Sequence, residues 1–98
     1  MHRVTVLYPN KLDMKFDFDY YLKKHIPWVA GLVGQSIEVR RGISTPAGLP
    51  AAFLCIATIP IRSVEAFQAI FAEHGGEILA DIPNYTNSEP IVQFDEIL

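Results

Sequence analysis

Several features that mark common classes of function are scarce in this chain of 98 residues. It has one cysteine, Cys55, so no disulfide can form within it, and an apolar run around Cys55 predicts a buried small hydrophobe. Its three histidines, His2, His25 and His74, lack the spacing of metal ligands. No glycine-rich loop follows a predicted strand, and no serine lies in a nucleophile-elbow motif. We therefore expect no metal and no cofactor.

Charge is also sparse, at 19% of residues, with 8 basic and 11 acidic side chains and a net charge of −3. The basic residues form only short pairs, such as Lys23-Lys24 and Arg40-Arg41, so a nucleic-acid partner is not expected. No apolar run is long enough to cross a bilayer, and His2–Val6 lacks the apolar core of a signal peptide. The sequence thus predicts a cytoplasmic protein with no membrane partner.

What the chain has in excess is hydrophobic residues, which make up 50% of it. The length predicts a single domain over residues 1–98. A chain of this size buries about two-thirds of its unfolded surface, which leaves little room to hide so many apolar side chains. An interface between subunits is therefore expected.

Four segments show the patterns of β-strands. Val4, Val6 and Tyr8 alternate with other side chains in the first strand, and a second strand is predicted over residues 36–44. The third, over residues 51–59, is apolar at nearly every position, which predicts cover on both faces. The last strand contains Ile91 and Phe94.

Two segments between these strands predict helices. Asp17 is a suitable N-cap for the first, Pro27 should make it kink or restart, and Gly34 should end it. Ser63 should cap the second helix, which Gly75-Gly76 is predicted to interrupt. His74 would then lie at a helix end, where a cation is favoured by the helix dipole.

The predicted order is β-α-β-β-α-β, the ferredoxin-like α+β pattern of one antiparallel sheet with two helices on one face. Two helices cover only one side of the sheet. The other side of the apolar third strand then needs a second cover, which the chain does not supply. We therefore predict a homodimer that packs through the free face of the sheet.

The first helix carries a histidine, His25, on its apolar face. Burying an imidazole costs free energy unless a hydrogen bond or a ligand satisfies it. Tyr21 and Trp28 lie about one turn to either side, so both would border the same cavity. His25 would then move a proton while Tyr21 donates a hydrogen bond to a substrate oxygen. The alternative is a core histidine that bonds a backbone carbonyl.

Three further residues are candidates for contact with a ligand. Tyr8 ends the first strand on the same face as Val4, where it lines either a cleft or the ordinary core. Asn84 and Tyr85 lie in the loop before the last strand, where turn chemistry explains Asn84 equally well.

Several of these residues together resemble the EthD family, which is named for ethyl tert-butyl ether degradation. The likeness rests on Tyr8-Pro9, on Phe18 with Tyr20-Tyr21, on His25 and Pro27 two residues apart, and on the segment Asp81–Tyr85. It implies a dimeric α+β barrel with a cleft between sheet and helices for a small hydrophobic or aromatic molecule. Proteins with the same barrel include cofactor-free monooxygenases, lactone isomerases, polyketide cyclases and haem-degrading enzymes, so the fold alone does not identify the activity.

Three functions follow as hypotheses. The first is a cofactor-independent isomerase, lyase, cyclase or monooxygenase in which His25 removes a proton from a phenol or an acidic carbon. Tyr21 or Tyr85 would stabilise the resulting oxyanion. The second is a non-catalytic accessory protein that sequesters a ligand for a partner oxygenase. The third is haem binding through His74 or His25.

Overall fold

The structure, a computed structural model that describes residues 1–98, is built on one sheet of four antiparallel strands. The strands run in the order β2-β3-β1-β4. In the central pair Val4 lies opposite Ile59 and Tyr8 opposite Cys55. The strand bounds are β1 His2–Pro9, β2 Glu38–Arg41, β3 Phe53–Ile61 and β4 Ile91–Glu96.

The first helix, α1, has three parts: Phe18–Tyr20 and Ile26–Val33 are α-helical, and Tyr21–His25 between them forms a π-helical turn. The Asp17 carboxylate accepts a hydrogen bond from the Tyr20 N–H, as expected of the N-cap. Gly34 ends the helix with φ of 75°, the left-handed conformation that glycine adopts most readily.

The π turn has a cause in the sequence. Pro27 has no N–H, and in a regular α-helix its ring would collide with the carbonyl of Lys23. The chain widens instead, and the Ile26 N–H bonds to the Tyr21 carbonyl five residues back. The α-helix then restarts at Ile26 with Pro27 in its first turn, as the sequence predicted.

The second helix, α2, spans Val64–Asp81 and is followed by a short 3₁₀ turn, Ile82–Asn84. Its N-cap is Ser63, which accepts from the Ala66 N–H. The predicted interruption at Gly75-Gly76 is wrong, because two glycines cost a helix only about 1 kcal/mol each and the packed helix tolerates that cost. The predicted position of His74 at a helix end is wrong for the same reason.

Strand bounds also differ from expectation. β2 is a short edge strand rather than the predicted 36–44, and β3 lies two residues later than the predicted 51–59. Along β3, Cys55, Ala57, Ile59 and Ile61 are buried, whereas the side chains between them are only partly buried. One face of β3 is therefore covered within this chain and the other is not.

Both helices contact one face of the sheet. The apolar core is formed by Val4, Val29, Ile59, Ile61 and Phe67, and a second buried cluster by Tyr8, Tyr21, Cys55 and Tyr85. The element order and the sheet confirm the ferredoxin-like α+β fold. Neither helix has the length and the apolar character that crossing a bilayer requires.

Candidate functional site

A cavity of about 640 Å³ lies between the sheet and the two helices. This volume falls within the range of small-molecule sites. Of its 21 lining residues, 18 are hydrophobic, and the other three are His25, Gln68 and Pro90. No lysine, arginine, aspartate or glutamate lines it. The cavity is therefore suited to a neutral, largely apolar molecule.

The π turn brings His25 and Tyr21 to the wall of this cavity. Both side chains are buried, with 5% and 1% of their surface exposed. Their rings stack at 5.4 Å between centroids with 13° between planes. Two aromatic groups four residues apart thus form one continuous surface on the inner side of α1.

Asp81, the last residue of α2, forms a hydrogen bond with the His25 ring. His25 Nδ1 lies 2.8 Å from Asp81 Oδ2. The other carboxylate oxygen, Oδ1, accepts from the Tyr20 hydroxyl at 2.7 Å and from the Asn84 amide at 3.0 Å. Burial alone would raise the pKa of Asp81, but the hydrogen bonds from Asn84, Tyr20 and His25 outweigh it and lower that pKa below its ordinary value.

The other imidazole nitrogen, Nε2, forms no hydrogen bond within the chain. No buried side-chain nitrogen or oxygen atom lacks a partner, so Nε2 must have accessible surface. His25 is one of the residues that line the cavity. An imidazole with one nitrogen on a carboxylate and the other facing a cavity can exchange a proton with a bound molecule.

Next to this histidine, three tyrosines form a cluster of buried phenols. The hydroxyls of Tyr8 and Tyr85 are 2.7 Å apart and bonded to each other. The ring of Tyr85 lies 4.8 Å from those of both Tyr21 and His25. Burial raises the pKa of Tyr8, Tyr21 and Tyr85, so at neutral pH each is a protonated phenol that can donate a hydrogen bond.

Cys55 lies below these phenols as part of the same cluster. It is fully buried, as predicted. Burial raises the pKa of its thiol to about 12. A thiol with this pKa is not a nucleophile at neutral pH, so Cys55 acts as a packing residue.

Four of the six candidate site residues meet at one place. His25, Tyr21, Tyr8 and Tyr85 all line the cavity. The other two do not line it: Trp28 and Asn84 lie in a shallower groove on the outer side, together with Tyr20, Lys24, Glu77, Ala80 and Asp81. Trp28 makes an edge contact with the His25 ring at 6.0 Å, and Asn84 bonds Asp81. Both lie close to the site without facing the cavity.

Sequence reasoning did not assign a role to Asp81 or to Gln68. For Asp81 a signal was present, because a carboxylate at the carboxyl end of a helix is disfavoured by the helix dipole and therefore needs a compensating contact. That contact is His25, 56 residues away in sequence. Gln68 gave no signal, since it is an exposed glutamine of an amphipathic helix that also lines the cavity.

Comparison with known proteins bears on the family and the fold. The family model of the EthD domain matches residues 10–89, a range that includes all the candidate residues except Tyr8. The chain belongs to the EthD family. No protein of curated function matches it.

Two solved EthD structures resemble this EthD chain. An EthD-like protein from Ralstonia eutropha JMP134 has 35% sequence identity and a TM-score of 0.90, over 97% of this chain and 89% of that one. An EthD family protein from Bacillus halodurans C-125 has a TM-score of 0.71 over 100% and 99% of the two chains. The second shares 18% identity, so it supports the fold alone.

No group of three or more histidine, cysteine, aspartate or glutamate side chains is placed to hold a metal ion. His74, one of the two residues considered for haem, does not line the cavity. The residues of this EthD site offer an apolar surface, phenol hydroxyls as hydrogen-bond donors and an imidazole nitrogen with a lone pair.

Proposed function

We propose that this EthD-family protein binds a small, neutral, apolar or aromatic molecule that carries oxygen, and that His25 removes a proton from it. The single observation that supports this proposal is the position of His25 Nε2. It forms no hydrogen bond within the chain and has accessible surface, and its residue lines a cavity whose other polar side chains are three phenols and Gln68. In such surroundings a polar ligand atom has few partners, and His25 is the strongest base among them.

The proton transfer would proceed between a ligand and groups already in place. A phenol or an acidic carbon next to a carbonyl gives its proton to Nε2, and the electron pair remains on the ligand as a phenolate or enolate. The hydroxyl of Tyr21 or Tyr85 donates a hydrogen bond to the new oxyanion. The imidazolium is stabilised by the Asp81 carboxylate at 2.8 Å.

The fate of the enolate defines the reaction class. Return of the proton to another ligand atom is an isomerisation, and attack of the enolate carbon on a second carbonyl of the ligand is a cyclisation. Either reaction is balanced without an oxidant. Monooxygenase chemistry would require dioxygen as co-reactant.

A neutral probe with an acidic carbon tests the proposal. 2-Tetralone has an acidic methylene next to its carbonyl, and proton NMR in D₂O follows its exchange for deuterium. The wild-type protein should accelerate this exchange, and His25→Gln should remove the acceleration, which for a general base amounts to about 10²–10⁴-fold. The control is His74→Gln, because His74 lies outside the cavity. Equal rates for the His25 variant and the wild type would refute the assignment.

The second candidate function is ligand binding without catalysis, in support of a partner oxygenase. It is favoured by the lining itself, because 18 of the 21 lining residues are hydrophobic and an apolar ligand can bind to them without a base. Fluorescence titration with 2-naphthol separates the two functions. Binding retained in His25→Gln, with no exchange of 2-tetralone by the wild type, would support sequestration.

A homodimer through the free face of the sheet completes the proposal. Leu7 of β1 and Leu54 and Ile56 of β3 are apolar and only partly buried, and they lie on the face opposite the helices. Covering them with the same face of a second copy would remove this surface from water. A solution mass of two chains, lost on Ile56→Glu, is the expected result. A monomeric wild-type protein would contradict it.

A further inference from the structure

We infer that Asp81 is a positioning residue that holds His25 as the Nδ1–H tautomer, so that Nε2 is the proton acceptor in the cavity. The inference deepens the proposed function, since the tautomer matters to chemistry only if His25 is the base. Its test does not depend on turnover. It concerns the hydrogen bond between Asp81 of α2 and His25 of α1.

The nature of the partner determines which imidazole nitrogen carries the proton. An ionised carboxylate has no proton to donate and can only accept. The distance of 2.8 Å between Nδ1 and Oδ2 is that of a hydrogen bond, so Nδ1 must be the donor. A neutral imidazole carries one N–H, and Nε2 therefore holds the lone pair.

The Asp81 carboxylate is itself held in one orientation. Oδ1 receives two donors, the Tyr20 hydroxyl and the Asn84 amide, on the side of the outer groove. Oδ2 is left to face His25. The two oxygens thus have different and non-exchangeable surroundings, although they belong to one carboxylate.

This asymmetry makes Asp81→Asn an informative change. The carbonyl oxygen of the new side chain should take the position of Oδ1, because two donors already point at it. Its amide nitrogen then takes the position of Oδ2 and points its hydrogens at His25 Nδ1. Nδ1 must accept, so the proton moves to Nε2, and the cavity loses its base. A change of one atom, in a residue outside the cavity lining, is expected to reverse the tautomer.

The experiment reads the tautomer directly by long-range ¹H–¹⁵N correlation NMR of the full chain labelled at histidine. At pH 8.5, about two units above the ordinary histidine pKa, a free imidazole is neutral. His2→Gln and His74→Gln identify the signals of the other two histidines. Asp19→Asn is the matched control, since Asp19 is exposed and pairs with Lys23 at 2.9 Å.

The expected pattern is Nδ1–H for His25 in the wild type and in the control, and Nε2–H in Asp81→Asn. A second variant tests whether a change in Asp81→Asn arises from the tautomer or from misfolding. Asp81→Asn combined with Asn84→Asp keeps the net charge and places a carboxylate where the Asn84 amide was. The amide introduced at position 81 should then turn its nitrogen toward position 84, its oxygen should face His25, and Nδ1–H should return.

Three results would overturn the inference: Nε2–H in the wild type, an imidazolium at pH 8.5, or an unchanged tautomer in a folded Asp81→Asn protein. If that variant does not fold, the wild-type spectrum and the double variant still decide. For 2-tetralone exchange, the inference predicts a loss of about 10²–10⁴-fold in Asp81→Asn with binding of 2-naphthol retained. The expected tautomers without any exchange by the wild type would leave this inference standing and refute the proposed function instead.

Discussion

Two adjacent glycines in α2 provide a matched pair of substitutions. Gly75 and Gly76 both lie inside the helix. A Cβ atom on Gly76 would meet nothing within 4 Å, whereas one on Gly75 would lie 2.8 Å from the ring of Phe71. We predict that Gly76→Ala stabilises the protein and that Gly75→Ala does not.

The magnitudes follow from what each methyl group meets. Alanine is better than glycine in a helix interior by about 0.8–1.0 kcal/mol, and Gly76→Ala should gain this amount. Gly75→Ala gains the same helix propensity but displaces Phe71, which stacks on Phe67 at 6.1 Å. Loss of an aromatic pair costs about 0.5–1.5 kcal/mol, and an off-rotamer side chain a similar amount. The two variants should therefore differ by about 1–3 kcal/mol.

Urea unfolding followed by circular dichroism measures this difference at a fixed protein concentration, because an association of chains would make the midpoint depend on concentration. For a domain of this size the gain in Gly76→Ala corresponds to a melting temperature higher by roughly 4–8 °C. Equal stabilisation in both variants would refute the argument from Phe71. Destabilisation by Gly76→Ala would refute the uninterrupted helix.

Two predictions concern pH. Burial raises the pKa of Tyr8, Tyr21 and Tyr85, so the stability they contribute is full below the ordinary tyrosine pKa of about 10 and is lost as pH rises above it. With three such groups, the free energy of unfolding should fall by up to about 4 kcal/mol per pH unit. Tyr8→Phe removes one of them, so the free energy of unfolding should fall less steeply with rising pH. The pKa of Asp81 is lowered, so its contribution is full above about pH 4 and is lost as pH falls below that value. Asp81→Asn should remove this part of the loss of stability, so the urea midpoint of the variant should fall less between pH 5 and pH 2. The same fall in the variant and the wild type would contradict the assignment.

The architecture was predictable because short-range patterns carry it. Alternation in β1, the N-caps Asp17 and Ser63, and the stop at Gly34 each depend on residues within one or two turns. The predicted interruption at Gly75-Gly76 was wrong because tertiary packing decides whether the helix continues there. A small helix penalty is offset where the rest of the helix packs on the sheet, and no local pattern reports that packing.

The site was only partly predictable for a related reason. Periodicity placed His25 and Tyr21 on one face of α1, and alternation placed Tyr8 on the inner face of β1. The contact between His25 and Asp81 joins residues 56 positions apart, and no spacing rule connects them. Trp28 illustrates the limit of helical spacing: a π turn and a proline lie before it, so positions after the turn do not follow the simple angle of 100° per residue.

The widened turn in α1 also restricts how this helix can change in evolution. A π turn holds one more residue than an α turn, so it is in effect an insertion inside a helix. Deletion of one exposed residue, such as Leu22 or Lys23, would close the turn to regular α-helix and keep the faces of the flanking segments. The regular turn would, however, bring the ring of Pro27 against a carbonyl. The extra residue and the proline therefore have to be gained or lost together. Pro27, which forms no hydrogen bond with His25, thus constrains where that histidine lies in the sequence.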